Sequence, residues 1–339
     1  MKPRIKWRKG FYEKAYFGNI ISCFYFSSCL RKSFAISENH QEYNKFPQNS
    51  TEEFDLSQYT FDDILEMSAD EYMSLVKEFK KTYDPFNSYD PTEETQEIKS
   101  DDVVSPLWTS GKVKDDEWIE EGCHEYITSV SCVILANDKG FFSNNDWDKL
   151  YIVLSISVAS LLPDRDEVGA PVFVGHFYDP DTGKNYANST SNTAKTNAQA
   201  QYNMAVAAAN RGDMNAAYEH IGRCLHYVQD VNVPHHSANI VAPSHNLFEK
   251  YAFNNQESYL SEYESISNGN YTNAVNMNVG EITHLAASNS KPMSSQVNNI
   301  LNQSMWNHVA GACMRNSARY SAMVLYRFSR VSSVPFYSS

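Results

Sequence analysis

Apolar residues recur three and four apart over most of the last two thirds of the chain, and Gly, Pro, Asn and Asp interrupt the pattern at intervals. The spacing predicts a helix over residues 116–136, with Ile127, Val130, Val133, Ile134 and Leu135 turned inward. A second, over 145–161, is apolar almost all round (Leu150, Ile152, Val153, Leu154, Ile156, Val158, Leu161) and reads as a buried central helix. It stops at Pro163, and a long loop runs from Asp164 to Lys184. An Ala- and Asn-rich helix follows over 190–211, and Asp213 caps the next, over 214–229. Further helices are expected over 244–266, 278–287 and 297–330, and strand signals are few. The expected architecture is all-α, a multi-helix domain. Upstream, one amphipathic helix over 59–81 carries Ile64, Leu65, Tyr72, Leu75, Val76 and Phe79 at helical spacing.

Charge divides the 339 residues in three. Residues 1–37 hold eight Lys/Arg and one Glu, residues 38–107 eighteen acids against five bases, and residues 108–339 22 acids and 15 bases. The first part reads as a secretion signal over 1–36, with a basic start (Lys2 to Lys9) and an aromatic, Asn- and Ser-interrupted core near Ala15–Phe26. Residues 37–107 read as a poorly structured acidic pro-segment around the one amphipathic helix, 108–332 as the main domain and 333–339 as a tail. No segment approaches the roughly 20 apolar residues that span a bilayer. The acidic balance gives no basic track for nucleic acid and disfavours anchoring to anionic lipid. Cys123, Cys132, Cys224 and Cys313 lack metal-type spacing and read as small buried helix residues.

The chemistry gathers around histidine. His226 and Asp230 are four apart, one turn from each other on one helix face. A Pro-containing break follows and delivers His235 and His236; nine residues after His236 begins a second such pair, His245 and Glu249. Upstream stand His124 (Cys-His-Glu), Asp164 and Asp166 (Pro-Asp-Arg-Asp) and His176 (Gly-His-Phe-Tyr-Asp-Pro-Asp-Thr-Gly). Imidazole nitrogen and carboxylate oxygen are both zinc ligands, and two from one rigid turn lose little entropy on binding. A single His-x-x-x-Asp pair is ordinary helix surface. Five of the ten histidines in such company point instead to clustered metal ligands. Asp179 and Asp181 read as turn caps that fix His176, and His235 as a neighbour of the ligands. His40, His220, His284 and His308 have no ligand-type partner nearby in sequence.

Three of these motifs, GHFYDPDTGKNY (175–186), LHYVQDVNVPHHSAN (225–239) and SHNLFEKY (244–251), resemble the bacterial zinc-dependent phospholipase C family, over roughly residues 108–330. The resemblance implies an all-helical catalytic domain, of a plan shared with P1-type nucleases, that holds three zinc ions (Zn2+) in a cleft. Carried onto this chain, it implies one zinc on Asp164, His176, His226 and Asp230. A second would lie on His236, His245 and Glu249, with room for water. A third would lie on His124, Asp230 and Trp108, the last through its α-amino group and carbonyl. Asp230 would then bridge two ions, a shared carboxylate screening cations that otherwise repel. An α-amino ligand requires a chain beginning at Trp108, so a processing protease cutting after Leu107 is implied. Trp118 competes for that place but falls inside the helix predicted over 116–136.

The activity so implied is hydrolysis of glycerophospholipids to diacylglycerol and a phosphorylated headgroup, with Asp164 as the catalytic proton acceptor. Phe173 matches an aromatic wall of the family's headgroup pocket and suits a quaternary ammonium; packing alone is the competing account. Arg165, where relatives carry an aromatic, would repel choline and favour an anionic headgroup. The expected partner is a phospholipid surface, touched transiently by a secreted monomer. Only Val331–Ser339 follow residue 330, too few for the C-terminal β-domain of some relatives, so headgroup hydrolysis is expected over strong membrane lysis. Two other functions fit the ligand pattern: an S1/P1-type zinc nuclease, and a non-catalytic zinc-stabilised binding protein.

Overall fold

The computed structural model describes residues 54–83, 86, 111–114, 117–120, 122–142, 147–166, 173–261, 263–298, 300, 303–332 and 334. The expected secretion signal, most of the segment 37–107, Trp108 and all of the tail but Val334 lie outside the described residues.

The amphipathic stretch expected over 59–81 forms two helices, α1 (Phe61–Glu66) and α2 (Ala69–Tyr83). Each has a capping box that its sequence encodes: Thr60 with Asp63, and Ser68 with Glu71. Thr60 and Ser68 each satisfy the first N–H groups of a new helix, so the pattern breaks at Met67. A two-stranded antiparallel hairpin follows, β1 (Gly111–Lys114) with β2 (Glu117–Glu120), pairing Val113 with Trp118. This corrects the expected helix start at 116 and places Trp118 in a strand. The helix α3 begins only after Gly122, at Cys123, and runs to Lys139 (Cys123–Lys139). Glu125 sets that start by accepting the Gly122 N–H at 3.0 Å, and Gly140, in the left-handed region at φ 68°, ends it.

The apolar central helix is α4 (Trp147–Ala159). Asp164 lies in a short helix, α5 (Leu162–Asp166), and not in a loop. Pro163 sits in the first turn of α5, where no N–H is needed, so it starts a helix as well as ending the previous one. The hairpin of α6 (Ala194–Asn210) and α7 (Met214–Asp230) turns at Gly212, φ 79°, and Asp213 accepts the Ala216 N–H as expected. Beyond come α8 (Pro234–Ser237), α9 (Pro243–Asn254), α10 (Gln256–Leu260), α11 (Asn268–Asn276), α12 (Val279–Ser290), α13 (Ser294–Val297) and α14 (Gln303–Val331). The helix expected over 244–266 breaks at Asn255, whose side chain bonds back to the Tyr251 carbonyl. The stretch expected over 297–330 is likewise divided, and α11 was not anticipated because Asn and Gly dominate it.

The helix α7 is the centre. It packs against α4, α6 and α14, and the 29 residues of α14, roughly 44 Å long, run past α3, α7, α9, α10 and α11. All four described cysteines are free, buried and on helices. Among the described residues no helix is long and apolar enough to cross a membrane. Two helices approach closely at Gly222 of α7, where an added Cβ would lie 2.5 Å from Ala159 Cβ and 2.6 Å from the Ile156 carbonyl oxygen. Gly222→Ala is therefore expected to push α7 off α4 and cost about 2 kcal/mol of stability. Thermal unfolding followed by circular dichroism reads this, and an unchanged midpoint would contradict the packing.

Candidate metal centre

Every site residue predicted from sequence within the described residues, apart from Arg165, falls in one buried region. Six elements converge there: the first turn of α3 (His124), α5 (Asp164), the 3-10 turn Val174–His176, the last two turns of α7 (His226, Asp230), α8 (His236) and α9 (His245, Glu249). Three groups have ligand-type atoms within 4.8 Å of one another, the first two sharing His226: His124, Asp164, His226; His176, His226, Asp230; and His236, His245, Glu249. Trp108, expected to complete a set with His124 and Asp230, lies outside the described residues.

The first two groups form one knot. His226 Nε2 stands 3.1 Å from Asp230 Oδ2, 3.4 Å from Asp164 Oδ1 and 2.9 Å from His176 Nδ1. His176 Nδ1 is 2.9 Å from Asp230 Oδ2 and 3.4 Å from Asp164 Oδ1. His124 Nε2 is 3.5 Å from Asp230 Oδ1 and 3.8 Å from Asp164 Oδ2, so Asp230 turns one oxygen to each side. In the third group Glu249 Oε1 lies 3.0 Å from His236 Nε2 and 2.8 Å from His245 Nε2. Ligand atoms around a tetrahedral ion with bonds of about 2.0–2.2 Å stand roughly 3.3–3.6 Å apart. The observed separations bracket that range, so these residues fit a divalent ion of the zinc type. With nitrogen and oxygen donors and inert thiols, the set suits metals that accept imidazole and carboxylate.

The far ring nitrogen of three of these histidines is tied to a carbonyl oxygen. His226 Nδ1–H donates to the Ser160 carbonyl at 2.7 Å, and His236 Nδ1–H to the His176 carbonyl at 3.0 Å. His124 Nδ1–H donates to Gln229 Oε1 at 2.6 Å. The Gln229 amide is itself oriented, since Nε2 donates to Thr128 Oγ1 at 3.0 Å and Ser321 Oγ at 3.3 Å. A carbonyl only accepts, so each Nδ1 carries the hydrogen and each Nε2 faces the carboxylates. Gln229 was not singled out from sequence. It lies inside the His-x-x-x-Asp motif, and its partners come from α3 and α14, which no local spacing reveals.

Electrostatics separates the histidines. Burial, then the neighbouring His226, lowers His124 to about 4, so its ring is neutral near pH 7. Burial also opposes charge on His226, but Asp230 and Asp164 outweigh it and hold His226 well above the usual histidine value. His236 is raised too, burial being outweighed by the Glu249 hydrogen bond and by Asp230. Asp230 and Glu249 stay ionised for the complementary reason: facing imidazoles overcome their burial and depress both. Cys123 is no rival ligand, since burial raises its thiol far up.

The remaining expectations divide. His235 is buried, stacks on the His245 ring at 5.0 Å and is lowered to about 3 by burial and by His245. It packs against His245 and stands outside the three clustered groups. Asp179 accepts the Asp181 N–H at 2.9 Å, and Lys291 pairs with both carboxylates, so the turn after His176 is closed by a clamp. Asp166 lies with Arg223 on the outer side of α5, away from the cluster that holds Asp164. Phe173 is half-buried, in the left-handed region at φ 53°, with its ring edge-on to His176 at 5.4 Å. Arg165 is 40% exposed and its Nε donates to Asp166 at 3.0 Å.

No family model matches the chain. A phospholipase C of Clostridium perfringens is 25% identical over 257 residues, 67% of this chain and 64% of that protein. A phospholipase C of Bacillus cereus is 33% identical over 121 residues, 34% of this chain and 41% of its own length. Among solved structures, the alpha-toxin of an avian Clostridium perfringens strain superposes with a TM-score of 0.54 at 25% identity, over 62% of this chain and 64% of that one. The alpha-toxin of Clostridium absonum, at 21% identity and a TM-score of 0.56, shares the fold over 62% of this chain and 63% of its own. The chain thus spans less than two thirds of the length of each of these proteins. In sequence and in fold, the chain is similar to the bacterial phospholipases C.

Proposed function

We propose that this chain is a secreted, zinc-dependent phospholipase C that hydrolyses glycerophospholipids to diacylglycerol and a phosphorylated headgroup. The observation that carries the reading is the convergence of five imidazoles and three carboxylates, at separations suited to tetrahedral ions, on the helical fold of a phospholipase C. Three ions follow from the resemblance. Asp164, His176, His226 and Asp230 would hold one; His236, His245 and Glu249 a second; His124 and Asp230, with Trp108 as a new N-terminus, a third. Zinc bound in such a set supplies Lewis acidity and a water acidic enough to act near neutral pH.

The chain's own residues do the rest. Asp164 has the most solvent-accessible side chain of the knot, 7% exposed against 3% for Asp230 and 0–1% for the histidines. It is therefore the carboxylate placed to take a proton from an incoming water. Asp230 and Glu249 stay fixed and charged, holding the imidazoles and setting the spacing between sites. Phe173, edge-on to His176, offers an apolar wall beside the site for the headgroup. Arg165 points its Nε at Asp166 on the surface of α5, which lessens its repulsion of a cationic headgroup at that wall.

The secreted protein is expected to contain about three zinc ions and to release phosphorylcholine from phosphatidylcholine micelles while sparing single-stranded DNA. Turnover of DNA alone would overturn the proposal in favour of a nuclease, and bound zinc without any turnover would favour a binding protein. Gln229→Leu should weaken one zinc by about 10–100-fold, because His124 loses the acceptor that fixes its tautomer. Titration against a metal-ion indicator reads this, and wild-type affinity would contradict that role. Because facing carboxylates hold His226 and His236 above the usual histidine value in the metal-free chain, zinc must compete with protons for both rings. Binding should therefore weaken as pH falls, and its calorimetric enthalpy should vary with the ionisation heat of the buffer. An enthalpy identical in all buffers would count against imidazole ligation.

A further inference from the structure

Residues 54–83 lie in what the sequence reads as a removable pro-segment, yet their burial is that of a core. Leu56, Phe61, Tyr72, Val76 and Phe79 are each no more than 3% exposed. They close over α3 and α4. The Phe61 ring stacks on Phe142 at 5.5 Å, Phe79 meets Tyr151 edge-on at 5.5 Å, and the Tyr72 hydroxyl is hydrogen-bonded to Ser157 Oγ at 2.7 Å in the interior. Their partners on the main domain are largely aromatic, with the Tyr72 ring also 6.3 Å from Tyr126, and they belong to the same buried cluster as Leu150, Val153 and Leu154. Stripped of α1 and α2, the domain would show water a contiguous apolar face of a kind that folded monomers rarely expose.

A polar contact joins the same segment to the metal centre. Lys80, near the end of α2, has a side chain only 10% exposed and sets Nζ 3.4 Å from Glu125 Oε1; the Glu125 side chain is wholly buried. The other Glu125 oxygen accepts the Gly122 N–H and so defines where α3 begins. His124 is the adjacent residue, in that same first turn. An ammonium removed from this place would leave a buried carboxylate facing a less favourable surrounding, at the point that aims His124.

We infer that residues 54–83 are a permanent, intramolecular subunit of the hydrolase. When the chain is cut between α2 and β1 they stay seated on α3 and α4, and through Lys80 and Glu125 they hold the start of α3 so that His124 meets Asp164 and Asp230. Lys80 is thus a positioning residue. The retention stands on packing alone; only the link to His124 rests on the ligand role proposed for it above.

The test uses the full chain with a protease recognition sequence substituted for residues 93–99, folded and then cut to completion. On native size exclusion the N-terminal piece is expected to co-elute with the remainder and to separate only in denaturant. Its separation under native conditions, whatever state the remainder takes, overturns the retention. With the recognition sequence placed to end at residue 107, so that cutting frees the Trp108 amine, Lys80→Met should weaken one zinc about tenfold, whereas Lys80→Arg keeps it. A Lys80→Met chain with wild-type zinc affinity removes the link to His124. If the wild-type chain binds no zinc, the proposed function fails, while the co-elution still decides the retention.

Discussion

Three carboxylates and five imidazoles share one interior, and the rest of the structure answers to the cost of keeping them there. A buried carboxylate without partners is costly to keep ionised, and the least costly escape is to take up a proton. Asp230 and Glu249 avoid that escape because imidazole nitrogens stand about them at 2.8–3.5 Å. The same closeness holds His226 and His236 above the usual histidine value in the metal-free chain. A divalent ion resolves both demands, since it replaces protons on the rings and neutralises the acids. The knot is therefore more than a set of residues able to take a metal; it is an interior whose charges are balanced best with one.

Such a balance needs rigid suppliers. The clustered imidazoles and carboxylates come from helix ends and short turns, where one or two residues reach inward while the helix body packs elsewhere. The last turns of α7 carry His226 and Asp230 on one face, and Gly222, one turn before His226, lets α4 approach closely enough to bring the Ser160 carbonyl to the His226 ring. Pro234 starts α8 at once after α7, so His236 arrives beside His176 and donates to its carbonyl. Backbone oxygens thus do most of the orienting, and they are placed by packing that buries apolar side chains far from the metal site. Stability of the core and accuracy of the ligands are one property here. That is also why α1 and α2, which complete the core over α3 and α4, bear on the site at all.

Much of this was legible in the residues. The i,i+4 pairs His226/Asp230 and His245/Glu249 share a helix face by helical geometry alone, and both pairs do so. Asp213 capped the helix it was expected to cap, and the apolar run 150–158 became the buried α4. The failures have local causes. Trp118 and Ile119 entered a strand because a short run ended by Gly122 is better served by pairing with Val113 than by a helix that Glu125 is ready to start three residues later. Pro163 was read as a stop when its position also suits a first turn. Asn255 broke a helix that periodicity alone carried through it.

The amino-acid order by itself determined the local matters: which residues cap, which face of each helix is apolar, and which ligand pairs stand one turn apart. Those follow from backbone geometry within a few residues. Only the tertiary structure decided which of two aspartates, Asp164 or Asp166, turns to the histidines and which to Arg223. Nor could spacing show that Gln229 orients His124, or that Lys80 reaches Glu125. Each of these joins groups far apart in the chain across a close-packed interior, where the partner is selected by the meeting of several helices and by the need to leave no buried charge unanswered.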